Sequence, residues 1–158
     1  MFVVFVDSHT YGNGAGMHFI DVVPKLIDVN VSHCSASAGF GIPSIIGNYP
    51  QIGLGGGIYV EIRNVNLVNS PSQRQDYVAN PFDSSIPLVK WRNVHARHNA
   101  AIKGAGLCLS SFELAITFDL QSSIIIDNVA VEGGGILSRF SHVALSHGSR
   151  VDKNICSS

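Results

Sequence analysis

The sequence predicts an all-β domain built as a parallel β-helix, a solenoid of short stacked coils. Three observations carry this expectation. Two glycines flanking one residue, followed by a large apolar residue, recur five times: Gly14-Ala15-Gly16-Met17, Gly39-Phe40-Gly41-Ile42, Gly55-Gly56-Gly57-Ile58, Gly104-Ala105-Gly106-Leu107 and Gly133-Gly134-Gly135-Ile136. A second pattern, apolar residues ending in Asp-Val or Asn-Val, precedes several copies: Ile27-Asp28-Val29, Arg92-Asn93-Val94 and Ile126-Asp127-Asn128-Val129. Helical periodicity is nearly absent, and short β-branched or aromatic runs take its place. Self-similarity at tens of residues is the signature of stacked structural units.

The expected strands follow in order. Phe2–Val6, His18–Val23, Leu26–Val31, Ile58–Ile62, Leu88–Trp91, Leu107–Leu109, Leu114–Phe118, Ile124–Ile126 and Phe140–Leu145 are apolar runs, most of them bounded by Gly, Asn, Ser or Pro. Tyr59 and Glu61 interleave with Ile58, Val60 and Ile62, the alternation of a strand with one face inside. Ala115 and Thr117 interleave with Leu114, Ile116 and Phe118 in the same way. Asp28 lies as far before Gly39 as Asn93 lies before Gly104, and this register sets Cys34 against Asn99 and Ala36 against Ala101. Asn64, Asn93 and Asn128 each precede a Val, which fits a recurring corner followed by an inward residue. Glycine admits positive φ at a corner, and asparagine tolerates the left-handed region. The polar, Pro-containing stretch at about 70–87 breaks the pattern and reads as an insertion in a single domain over 1–158. A β-sandwich is the structural rival.

Composition narrows the function classes. Hydrophobic residues make up 46% and charged residues 13%, with a net charge of −1, so nothing suggests a nucleic-acid footprint. Mean hydropathy is +0.25, which argues against disorder. The three cysteines, Cys34, Cys108 and Cys156, make an odd set without a Cys-x-x-Cys and read as buried thiols. The apolar start, Met1–Val6, has no preceding base and is too short for a signal peptide. No run is long enough for a transmembrane helix, so no membrane insertion is expected.

The segment Asn99-Ala100-Ala101-Ile102-Lys103-Gly104-Ala105-Gly106-Leu107 resembles the repeat of the polymorphic outer-membrane proteins and related right-handed β-helix proteins. Coils of that family pair an Asn-rich segment with a Gly-Gly-Ala-Ile-like segment. The family also places an aromatic residue three positions before the Asn, where Ala96 and Val31 stand here, so the glycine half carries the match. The resemblance spans about residues 12–145. It implies a surface-exposed or secreted right-handed parallel β-helix used for adhesion or passenger display; the repeat period sets about six coils, and the uncapped coil ends point to a segment of a longer helix. It implies no catalytic site and no cofactor.

Other chemistries are less well supplied. Gly12-Asn13-Gly14-Ala15-Gly16 lacks the dinucleotide spacing, and no Gly-Lys-Ser/Thr follows any glycine loop. A calcium β-roll needs an acidic residue where Tyr59 stands. Of the seven histidines, His33 and His98 fall in the Cys34/Asn99 register and are candidates for stacking, but no metal set is expected. Carbohydrate-active β-helices need clustered acids, or a base with arginine, on one groove. The weak candidates here are Asp127 and Glu132 with Arg97; Tyr59, Tyr77 and Trp91 are candidates for sugar stacking.

The function expected is non-enzymatic: surface display, adhesion or a structural module, extracellular or at the cell surface as part of a longer exported protein. Its partner would be a carbohydrate or a host-surface ligand. The alternatives are a carbohydrate-active (lyase- or glycosidase-like) or carbohydrate-binding β-helix, and a cytosolic scaffold of the same shape. Open coil ends expose strand edges and apolar ladders, so end-to-end self-association is expected as well.

Overall fold

The computed structural model describes residues 3–6, 8–10, 14–37, 53–63, 86–112 and 115–157. These residues form strands only: β1 (Val3–Val6), β2 (His9–Thr10), β3 (Met17–Ile20), β4 (Ile27–Ser32), β5 (Ser35–Ala36), β6 (Ile58–Ile62), β7 (Leu88–Arg97), β8 (Ala100–Lys103), β9 (Leu107–Ser111), β10 (Ile116–Gln121), β11 (Ile124–Ile126), β12 (Val129–Glu132), β13 (Ile136–Arg139), β14 (Ser141–Ser146), β15 (Arg150–Asp152) and β16 (Ile155–Cys156). All pairs among them are parallel.

The strands fall into three sheets. The first runs β1-β4-β7-β10-β14, with β11 and β15 continuing beside the second half of β7. The second runs β2-β5-β8-β12-β16 and the third β3-β6-β9-β13. The chain therefore visits the sheets in rotation and makes five passes among the described residues, the last without a strand in the third sheet. This arrangement fits a β-helix or solenoid. Most of the chain between β5 and β6 and between β6 and β7, residues 38–52 and 64–85, lies outside the described residues.

Inward columns make the core. Val31, Ala96 and Ile125 stack in register, as do Ile58 with Leu107 and Val60 with Leu109, and all are at most 1% exposed. Each fully buried Val, Leu or Ile contributes about 1.5–3 kcal/mol. Trp91 is core: it is fully buried, meets Phe118 edge-on at 5.1 Å, and its indole N–H donates to the Pro24 carbonyl at 2.8 Å. Tyr59 is buried too, so neither ring is available for sugar stacking; Tyr77 lies outside the described residues. All five residues of β6 are buried, so its alternation does not mark one face open to solvent. Leu54, Cys108 and Leu137 pack around Tyr59 on the outer side.

Two kinds of corner hold the passes together. Between the first and second sheets, His33, His98, Asp127 and Lys153 take positive φ (52–56°). Each is followed by a ladder residue: Cys34, Asn99, Asn128, Asn154. The Asn99 carboxamide oxygen accepts from the Cys34 backbone N–H (3.0 Å), that of Asn128 from Asn99 (3.0 Å), and that of Asn154 from Asn128 (3.1 Å). The carboxamide nitrogens donate along the same column, Asn99 to Asn128 and Asn128 to Asn154, both at 2.9 Å. They also donate sideways to the carbonyls of Val31, Ala96 and Ile125. Between the second and third sheets, Gly16, Gly57 and Gly106 stack so closely that a Cβ on each would lie 2.3–2.5 Å from a carbonyl oxygen of the next pass.

This stacking revises the glycine reading. Gly14 and Gly16 sit directly against Gly55 and Gly57, joined by bonds such as Gly16 N–H to Gly56 C=O at 3.1 Å. Gly39 and Gly41 belong to the segment between β5 and β6, outside the described residues, as does Asn64. Asn93 and Asn128 occupy different columns. Asn93 takes positive φ and bonds to Asp28 (2.9 Å), and Val94 after it is buried; Val129 after Asn128 is 40% exposed, and Ala130 is the inward residue.

Candidate functional site

The outer face of the first sheet holds the arrangement with the most chemistry. Its layout follows from one backbone feature. Asn93 (φ 53°) interrupts β7 and reverses the alternation. Before it, Val89 and Trp91 are buried while Lys90 and Arg92 are exposed; after it, Val94 and Ala96 are buried while His95 and Arg97 face outward. One strand thus presents Lys90, Arg92, His95 and Arg97 on one side.

Strand register extends the second half of this row into a grid. Asn30, His95, Ile124 and Arg150 form one column, and Ser32, Arg97, Ile126 and Asp152 the next. Neighbouring strands lie about 4.8 Å apart, and alternate residues along a strand about 6.6 Å apart. The Arg97 guanidinium donates to His95 Nδ1 at 3.1 Å. Because arginine can only donate, that ring nitrogen carries a lone pair and the imidazole is neutral. Burial, with Arg97 as the second cause, lowers the His95 pKa from its ordinary value. Arg150 and Asp152 pair at 3.0 Å at the grid's edge. Lys90, Arg92 and Arg97 form no ion pair among the described residues.

Two buried polar atoms in this grid lack a hydrogen-bond partner: the Asn30 carboxamide oxygen and Arg97 Nε. One is an acceptor and the other a donor, on adjacent strands, flanking His95. Leaving such an atom unpaired costs about 1–3 kcal/mol, and native structures rarely keep one without a reason.

Of the residues singled out in the sequence, Arg97 belongs to this grid. Asp127 sits at the positive-φ corner beyond β11, one residue past Ile126, which pairs with Arg97. Glu132 lies at the far end of β12, five residues or roughly 16 Å of extended chain from Asp127. The structure places Glu132 with Lys103, its ion-pair and register partner, and near Arg139 (3.7 Å). The hydrogen bond from Lys103 holds its carboxyl below the ordinary range, a carboxylate rather than a proton donor. His33 and His98 stack at the same corner as Asp127, ring centroids 5.1 Å apart. Among the described residues no three His, Cys, Asp or Glu side chains converge as a metal set.

Sequence reasoning assigned Asn30, Ser32 and His95 to no binding site. The signal was present: the Cys34-to-Asn99 register also sets Asn30 against His95 and Ser32 against Arg97. On the third sheet, Glu61 is buried and joined to Arg63 at 2.7 Å, and His18 meets Tyr59 at 4.7 Å between ring centroids. Burial raises the Tyr59 pKa well above its ordinary value, with the Glu61 charge adding to it. No protein-family model matches the chain, and no curated protein or solved structure matches it.

Proposed function

We propose that this chain is a segment of right-handed parallel β-helix of the adhesin or display type, a rigid non-enzymatic module that binds through the outer face of its first sheet. The observation that supports this reading most is the eight-residue grid around Arg97: fixed spacing, mixed polar and apolar character, and two unpaired buried polar atoms. Asp127 sits at the corner before β12 while Glu132, at the far end of β12, is paired with Lys103, an arrangement that favours binding over glycoside cleavage. Carbohydrate is the second reading for the ligand, favoured by the hydrogen-bonding groups of the grid.

Exposed inward positions of the last pass support end-to-end packing, against a further coil or a second copy of this chain, as a further property of the module. Leu145, which stacks on the fully buried Leu120, is 50% exposed, and Val151, which stacks on the fully buried Ile125, is 38% exposed. A glycan array together with a polysaccharide-degradation screen tests the functional reading. Binding without cleavage is expected. Cleavage that disappears in Asp127→Ala or Glu132→Ala would overturn it in favour of an enzyme. Light scattering across a concentration series tests packing between copies, and a monomer at every concentration would refute it.

A further inference from the structure

We propose that the grid formed by β4, β7 and β11 binds a carboxylated glycan, a sugar chain bearing uronic acid groups. The proposal rests on the reading of this outer face as the binding surface and names its ligand. Three requirements of the grid define that chemistry. Arg97 Nε lacks an acceptor, and the guanidinium forms no ion pair among the described residues, so the ligand brings an anionic oxygen. The Asn30 carboxamide oxygen lacks a donor, so the ligand brings a hydroxyl one strand away. Ile124 and Ile126 stand beside His95 and Arg97 and face outward, a half-buried apolar shelf that suits the C–H face of a ring. A uronic acid ring offers a carboxylate, hydroxyls and an apolar face within one unit. An acidic peptide supplies the charge without a compact set of hydroxyls. Arg92 and Lys90 continue the row along β7 and would meet later carboxylates of the chain.

Binding swings the Arg97–His95 pair outward. That pair is joined by a single side-chain bond of 3.1 Å. The guanidinium then meets the carboxylate with Nε and a terminal nitrogen, the two-pronged geometry arginine offers and lysine does not. No covalent step is involved.

The test uses the intact chain and three probes: oligoglucuronate, the matching neutral oligoglucose, and oligoglutamate. Binding is measured by calorimetry at low and at physiological salt. Oligoglucuronate is expected to bind at both salts, with the neutral oligomer at least ten-fold weaker. Arg97→Gln is expected to weaken oligoglucuronate about 10–100-fold, the range for a charge-assisted hydrogen bond. Arg97→Lys, which keeps the charge and loses the fork, should recover only part of that loss. Lys103→Gln, on the second sheet and paired with Glu132, should bind as the parent does. Circular dichroism of each variant separates lost binding from lost folding; if Arg97→Gln unfolds, Asn30→Asp replaces it and is expected to weaken oligoglucuronate by adding a negative charge to the grid. Equal binding of oligoglutamate, lost in Arg97→Gln, would overturn the glycan and leave the binding face standing. Binding that ignores both Arg97→Gln and Asn30→Asp, or no binding by any probe, would overturn the proposal and the face together.

Discussion

Removing one carboxamide from the column Cys34–Asn99–Asn128–Asn154 tests what joins the passes. Asn128 is fully buried, and its side chain makes four hydrogen bonds. Its oxygen accepts from the Asn99 backbone N–H (3.0 Å) and from the Asn99 carboxamide (2.9 Å); its nitrogen donates to the Ala96 carbonyl (3.0 Å) and to Asn154 (2.9 Å). Asn128→Ala removes all four. The Asn99 carboxamide keeps its bond to Val31, and the Asn154 oxygen keeps the Asn128 backbone N–H. The Asn99 backbone N–H is left with no acceptor in the column, which costs about 1–3 kcal/mol, and the remaining lost bonds add about 1 kcal/mol each on net. The working total is about 4–6 kcal/mol, a large share of the about 5–15 kcal/mol that stabilises a typical domain. For a chain of this size the melting temperature would fall by roughly 8–24 °C. Urea unfolding with the slope held as a check on two-state behaviour is the assay. A loss below about 1 kcal/mol at unchanged slope would refute the claim that the column couples adjacent passes.

Three further outcomes follow from the geometry. Gly106→Ala places a methyl carbon 2.3 Å from the Gly135 carbonyl oxygen and 2.7 Å from the Ile125 side chain, so backbone must shift and a loss of about 3 kcal/mol or more is expected; Gly148→Ala meets nothing within 4 Å and bears only the positive-φ strain of about 1–2 kcal/mol, and equal effects in urea melts would contradict this. Burial holds the pKa values of His18 and His95 below the ordinary imidazole value, so the unfolded chain takes up protons first, and stability falls as pH drops below about 6.5; the pair His18→Gln and His95→Gln should flatten that slope in pH-dependent melts, and an unchanged slope would reject both residues as its source. Of the three cysteines, Cys156 is exposed while Cys34 and Cys108 are buried, and burial pushes the Cys108 thiol up to about 12; a thiol reagent at pH 8 should label one site in the native chain and three in denaturant, and native labelling of Cys108 at the Cys156 rate would contradict the packing.

Legibility in the sequence divided by sheet. First- and third-sheet strands were readable where branched residues come in runs, as at Ile58–Ile62 and Ile124–Ile126. No strand of the second sheet was read, although the Ala36-to-Ala101 register that joins β5 and β8 was: β2, β5, β8, β12 and β16 are two to four residues long, and β5 and β12 bury a single alanine each, Ala36 and Ala130. One small inward residue makes no visible alternation. Repeated glycines did mark a corner, because a carbonyl of the next pass fills the space where a side chain would stand. Gly39 carries the same motif at the same spacing from Asp28, but the glycines stacked on Gly104 and Gly106 are Gly55 and Gly57, and Gly39 lies outside the described residues. For the proposed binding face, Arg97 was named, but with Asp127 and Glu132 rather than with its neighbours in the grid, since Asn30 and His95 meet only after register is applied across two intervening segments.

Cys34 is where the column departs from asparagine, and it offers the sharpest test of whether the ladder is a property of the column or of three local sites. Its backbone N–H already donates to the Asn99 carboxamide oxygen, as Asn99 does to Asn128. Phe5 pairs with Val31 as Val31 pairs with Ala96, so the Phe5 carbonyl stands to position 34 as the Val31 carbonyl stands to Asn99. A carboxamide at 34 therefore finds two acceptors for its nitrogen: the Asn99 oxygen and the Phe5 carbonyl. Against this stands the loss of a fully buried thiol whose Sγ bonds to the Ser32 carbonyl at 3.3 Å, a weak interaction. At about 0.5–1.5 kcal/mol for each new bond, offset by some crowding, Cys34→Asn is expected to leave stability unchanged or raise it by about 1 kcal/mol. Asn99→Cys, which breaks the column in the middle, should cost about 2 kcal/mol or more by the same arithmetic. Paired urea melts of the two variants decide the matter. A loss above about 2 kcal/mol in Cys34→Asn would mean that position 34 has its own packing and that the repeat ends, in energetic terms, at Asn99.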